Sequence, residues 1–163
     1  MVKKIYLSGK KGEGLYATVD DADFLYLSQF SWHLKRTHGN DYARRQVCEN
    51  GKFRTIYMHR EILGLTDSRQ VDHKNGNGLD NRRCNLRACS HNQNQRNQKP
   101  VGGSSKYVGV YWKKDESKWK ARIKVDGREI HLGLFSNEVE AAKARDRAAL
   151  RYHGEFARLN FPQ

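Results

Sequence analysis

Apolar and polar positions change period along the chain and so mark out its elements. Ile5, Tyr6 and Leu7 and residues 15–19 have the composition of short strands. Asp20 opens a segment of helical spacing that runs through Leu27 and Ser28. Residues 32–36 and 42–47 predict a hairpin turning at His38, Gly39 and Asn40. Val71, Asp72 and His73 end a short strand, 74–78 is a Gly/Asn loop, and 85–88 is a second strand. Ser90 with Gln93 three residues on is a capping-box signature, so a helix follows with Asn94 in its first turn.

Residues 98–105 carry Pro, Gly and Ser without apolar periodicity and read as a linker. Three strands are predicted after it, over 107–112, 119–125 and 128–135, the last two joined by Asp126-Gly127, a two-residue hairpin signal. Asn137 with Glu140 then starts a helix whose Ala141, Ala142, Ala144, Ala148 and Ala149 let it lie close on a sheet. The expected fold class is α+β: a ββα unit, then a three-stranded antiparallel sheet packed on one helix. The expected parts are a mixed supporting region over 1–66, a catalytic motif over 67–98, a linker over 99–105 and a second module over 106–163.

Composition narrows the partner. Thirty-one Lys and Arg against 18 Asp and Glu leave a formal charge of +13, shared by both halves of the chain, which attracts polyanions. A hydrophobic content of 37% suits small modules better than one large core. Cys48, Cys84 and Cys89 form no C-x-x-C pair, which argues against a disulfide framework or a zinc ribbon and for a reducing interior. The N-terminal apolar run is too short for a signal peptide, and no segment reaches membrane-spanning length. A soluble, cytoplasmic protein acting on DNA is expected.

Chemistry concentrates in residues 70–97, QVDHKNGNGLDNRRCNLRACSHNQNQRN. Asp72 offers oxygen to a hard divalent cation, and His73 can take a proton near neutral pH. Asn85 and Asn94 fall where the returning strand and the helix would bring their amides back. An Asp-His pair alone is ordinarily two surface residues, and a Gly/Asn loop ordinarily only a turn. The ordered set Asp72, His73, Asn85 and Asn94, with Gly76, Leu79, Asp80, Asn81 and Leu86 in register, resembles the HNH homing endonucleases.

That resemblance implies a ββα-metal unit in which His73 is the general base, Asp72 a metal ligand, Asn85 the residue that orients His73, and Asn94 the last position of the signature. Many members have His there, so this chain is an H-N-N variant. Oxygen donors from Asp72 and Asn94 favour Mg²⁺ or Mn²⁺. Arg87 and Arg96 are candidates for phosphate, as are Arg44 and Arg45. Asp80 and Asn81 are expected to build the loop, His59 to pack, and His91 to be exposed or to face phosphate. One such site per chain suits a monomeric, site-specific nickase, and the resemblance points to a phage or mobile-element origin.

The C-terminal part carries Tyr107-x-Gly109-Val110, Leu132-Gly133-x-Phe135, Glu140-Ala141-Ala142, Asp146-x-Ala148-Ala149 and Leu159-Asn160-Phe161-Pro162. These resemble the APETALA-two/ethylene-response-factor DNA-binding domain. The resemblance implies a sheet laid in the major groove of double-stranded DNA, with Tyr111, Lys113, Arg122, Lys124, Glu129 and His131 on the contacting face. Val108, Tyr111, Glu129 and His131 replace base-reading residues of the plant pattern, so the plant target does not carry over. The alternative function is a catalytically inactive, sequence-specific DNA-binding regulator.

Overall fold

Short strands joined by tight turns build the first part of the chain. In the computed structural model, which describes residues 1–37, 39–97 and 103–162, β1 (Val2–Tyr6) and β2 (Tyr16–Asp20) pair antiparallel with Ile5 opposite Ala17. Alternation turns Ile5, Ala17 and Val19 inward. Helix α1 (Asp21–Leu27) follows directly. Asp20 precedes it as the sequence predicts but does not cap it: its carboxylate instead accepts the Arg83 backbone N–H at 2.7 Å.

The predicted hairpin gains a strand. β3 (His33–Thr37), β4 (Asn40–Glu49) and β5 (Lys52–Tyr57) form one antiparallel sheet in that order. The β4–β5 turn is Asn50-Gly51, both at positive φ, the mirror-image turn that suits strand twist. The predicted turn residue His38 lies outside the described residues. A short helix, α2 (Met58–Ile62), leads to β6 (Gln70–His73), which pairs antiparallel with β7 (Leu86–Cys89). After Ser90 comes α3 (His91–Arg96).

Leu27, Trp32, Leu34, Ala43, Met58, Ile62, Val71 and Leu86 form the core of this part. Trp32 is fully buried and its indole N–H reaches the Leu27 carbonyl at 2.8 Å, so no polar group is stranded there. Arg45, expected at phosphate, belongs to the scaffold. It forks onto Glu61 at 2.7 and 3.2 Å and lies 3.9 Å over the Phe30 ring. Because Ala43 faces the core, strand alternation turns Arg45 to that same side.

The chain divides into two units, Met1–His91 and Asn92–Gln163, so the division falls inside α3. Part of the predicted linker, residues 98–102, lies outside the described residues. In the second unit β8 (Val110–Lys113), β9 (Lys118–Val125) and β10 (Arg128–Phe135) form an antiparallel sheet with β9 in the middle. Asp126 and Gly127 both take positive φ in the β9–β10 turn, as their pairing in the sequence predicts.

Helix α4 (Glu138–His153) is capped by Asn137, whose side chain accepts the N–H groups of Val139 and Glu140. Its Ala141 and Ala142 pack with Val110 and Ala121, and its Ala148 and Ala149 with Ile123. Gly109, at φ +73°, meets the back of β9 so closely that a Cβ would stand 2.5 Å from the Arg122 carbonyl oxygen. Asp146 on α4 accepts the backbone N–H groups of Asn160 and Phe161, and Asn160 bonds Val108 in both directions, clipping the C-terminal segment to the sheet. Small antiparallel sheets with helices thus make the fold α+β. No helix among the described residues is long and apolar enough to cross a membrane.

Candidate active site and DNA-binding face

β6 carries Asp72 and His73 as neighbours in sequence, both buried, at 3% and 4% exposed. Opposite them on β7 stand Arg87 and Leu86, and the ladder continues with Lys74 N–H to the Asn85 carbonyl at 2.9 Å. Arg87 Nε and Nη2 both donate to Asp72 Oδ2, at 2.7 and 2.5 Å. Arg87, predicted at phosphate, therefore faces the carboxylate in this structure.

The loop between the two strands is tied by its own amides. Asn85 accepts the Asn75 N–H through Oδ1 at 3.0 Å and donates through Nδ2 to the Asp80 carbonyl at 2.7 Å. Both bonds go to loop backbone, so any hold of Asn85 on the imidazole runs through the loop. Asp80 collects Asn75, Arg82 and Thr18, and its carboxyl is held down to about 2, first by the Arg82 hydrogen bond. Asn81, fully buried, takes the Thr18 carbonyl with its backbone N–H. Asp80 accordingly serves the loop, and Asn81 serves it through its backbone while its side chain bonds His73. Gly78 has no room for a side chain, since a Cβ would lie 2.4 Å from the Asp41 carbonyl oxygen and 2.7 Å from the Tyr42 ring.

Rings close over His73. Tyr42 lies 5.8 Å away and His59 meets it edge-on at 5.2 Å, while Tyr57 stacks on His59 at 5.4 Å. Burial lowers the His73 pKa, and Asn81, Asp72 and Asp80 pull the other way. A neutral imidazole near pH 7 is the state a base needs. His59 is lowered further, to about 3, by burial, then by His73 and Arg60. His59 packs as expected, but no sequence spacing announces its contact with His73, and Tyr42 and Tyr57 carry no signal beyond strand alternation.

Asn94 and Arg96 lie on α3, and Arg96 reaches Asp126 at 3.2 Å. His91 is exposed and its Nδ1 lies 3.1 Å from Gln70 Nε2. Among the described residues no three His, Cys, Asp or Glu side chains converge as a metal site. The chemistry of Asp72 nevertheless fits a divalent ion: it is a hard, buried anionic donor next to His73 in the chain, and it draws a cationic group, Arg87.

The sheet of the second unit separates its faces cleanly. Ala121 and Ile123 turn to α4, while Arg122 and Lys124 are exposed. Register puts His131 opposite Arg122, Glu129 opposite Lys124, Tyr111 opposite Lys120 and Lys113 opposite Lys118. Tyr111, Lys113, Arg122, Lys124, Glu129 and His131 thus share one face, and Lys118 and Lys120 join it. Arg122 pairs with Glu129 and lies 4.8 Å over the Tyr111 ring. Trp112 meets Trp119 at 5.1 Å; Trp119 is partly buried on the core and Trp112 is the more exposed.

A family model for HNH endonucleases matches residues 65–96. Over 61 residues, 36% of this chain, the sequence is 51% identical to APETALA2-like protein 2 of Oryza sativa subsp. indica, covering 14% of that protein. It is 56% identical over 41 residues, 25% of this chain, to an ethylene-responsive transcription factor-like protein of Arabidopsis thaliana, covering 17% of it. The chain spans less than a fifth of the length of either relative.

Proposed function

We propose that this chain is a metal-dependent DNA endonuclease of the HNH homing type, which hydrolyses a phosphodiester of double-stranded DNA and acts as a site-specific nickase. The observation that carries the reading is the buried Asp72-His73 pair on a strand whose loop Asn85 ties down, within the stretch that matches the endonuclease model. His73 takes the proton of the attacking water, Asn85 keeps the loop beside it in shape, and Tyr42 and His59 exclude bulk water from one side. Asp72 and Asn94 would hold Mg²⁺ or Mn²⁺, which when bound supplies positive charge for the phosphate. Arg87 and Arg96 add fixed charge nearby in sequence, and one site per chain suits one strand per visit by a monomer.

Affinity comes from the C-terminal sheet, whose basic, aromatic face of Tyr111, Lys113, Arg122, Lys124 and His131 meets the DNA. The similarity to plant proteins named as transcription factors supports DNA as partner. It also favours a second reading, a binding-only regulator, as does the engagement of Asp72 by Arg87. Incubating the protein with a randomised duplex library in Mg²⁺ and in EDTA, then sequencing the ends, separates the two. Cation-dependent ends with a 3′-hydroxyl support the nuclease, and intact DNA with selective retention supports the regulator.

A further inference from the structure

The β3–β4–β5 sheet sorts its charges by face. Its pairing runs without a register shift, so side chains alternate strictly. One side carries Leu34, Ala43 and Ile56 toward the core, and three of its four cations are paired: Arg36 with Asp41 at 3.3 Å, Arg54 with Glu49 at 3.4 Å, Arg45 with Glu61 at 2.7 Å, while the fourth, Lys52, is the register partner of Glu49. Asp41 and Glu49 are the only carboxylates in the three strands, and both lie there.

The opposite face holds cations without acids. Lys35 stands opposite Tyr42, and Arg44 stands between His33 and Tyr57. Among the described residues, neither Lys35 nor Arg44 has a carboxylate at ion-pair distance. Two of these cross-strand partners belong to the ring cluster at His73: Tyr42 touches it, and Tyr57 stacks on the His59 that touches it. Lys35 and Arg44 are diagonal neighbours, about 7–8 Å apart at Cα, so their long side chains reach neighbouring phosphates of one strand. From them the face runs out past Gln46 and Thr55, both exposed.

We propose that this face is a second DNA-contact surface, on which Lys35 and Arg44 hold phosphates of the strand that crosses His73. The occupant is the polyanion because an acid-free, cationic face complements it and because the face is continuous with the His73 enclosure. Placing the scissile strand there rests on the nuclease reading; the charge argument does not. The surface is separate from the C-terminal sheet, so the full chain grips DNA with both units.

The test is binding of the full chain to a mixed-sequence duplex in EDTA over a salt series. Each phosphate contact adds about 0.9 to the slope of log affinity against log salt, so the double variant Lys35→Gln/Arg44→Gln should have a slope shallower by about 1.8. The charge-conserving Lys35→Arg/Arg44→Lys should keep the wild-type slope, and Arg36→Gln/Arg54→Gln, on the opposite face, should leave it unchanged. Equal slopes in the wild type and the Lys35/Arg44 charge-removal variant, or equal losses from both faces, overturn the surface. A shallower slope in a protein that never cuts DNA in Mg²⁺ supports the surface and sinks the nuclease reading; cutting with an unchanged slope does the reverse.

Discussion

Asp72 and Arg87 are register partners across β6 and β7, and two guanidinium N–H groups of Arg87 converge on one oxygen of the Asp72 carboxylate. Both side chains are nearly buried, at 4% and 12% exposed. Removing one member of such a pair leaves a nearly buried charge without its counter-charge, which costs about 3–5 kcal/mol. Arg87→Met should therefore melt well below the wild type in EDTA. If Asp72 is a metal donor, Mg²⁺ should recover more of that loss than it adds to the wild type. Thermal melts with and without Mg²⁺ decide, and a variant indifferent to the ion would remove Asp72 from the ligand set.

His59 makes stability depend on acid. Its pKa is near 3 in the folded chain and near 6.5 when unfolded. Between those values the unfolded chain binds a proton that the folded chain refuses, so stability present above pH 6.5 is lost as pH falls toward 3. The full loss is on the order of a few kcal/mol. His59→Phe keeps a ring against Tyr57 and His73, and it removes a buried Nδ1 that has no hydrogen-bond partner among the described residues. Urea melts from pH 7 to pH 4 should show a shallower decline in the variant; an unchanged decline would place the titration elsewhere.

Gly109 limits the second unit. An alanine there would need positive φ and would press its Cβ against the Arg122 carbonyl and Arg145. Backbone strain and overpacking together should cost about 1–3 kcal/mol. Since Arg122 is on the strand proposed to face DNA, Gly109→Ala should lower both the melting temperature and DNA affinity. Full affinity with a lowered melting temperature would mean that the sheet face tolerates the shift.

Local signals made much of this fold legible. The Asp126-Gly127 turn, the Asn137 cap, the alanine-rich helix and the strand that ends at His73 each depend on residues within a few positions of one another. Asn50-Gly51 is an equally local hairpin signal, but the strand after it, KFRTIY, is mostly exposed and lacks a clear apolar period, so the pattern alone does not announce β5. Arg44 and Arg45 look alike in sequence because adjacent strand residues part only once the core side is known, and that side is set by Ala43 against Leu34 across the sheet. The contact of His59 with His73 needs α2 and β6 to meet in space, which no spacing announces. Asp20 looked like a helix cap because the carboxylate's actual partner, Arg83, is 63 positions away.

Product order tests the count of sites. A monomer with one buried Asp72-His73 pair should convert supercoiled plasmid bearing the target to open circle before any linear form accumulates. Linear product at the earliest times, rising with the square of protein concentration, would indicate two chains acting together.

The most direct measurement is single-turnover cleavage of a target duplex in Mg²⁺ by the wild type and by His73→Ala, with binding of the same duplex measured in EDTA. Removing a general base costs about 10²–10⁴ in rate, so the variant should cut at least a hundredfold more slowly while binding as the wild type does. Cleavage by His73→Ala at the wild-type rate would contradict the account.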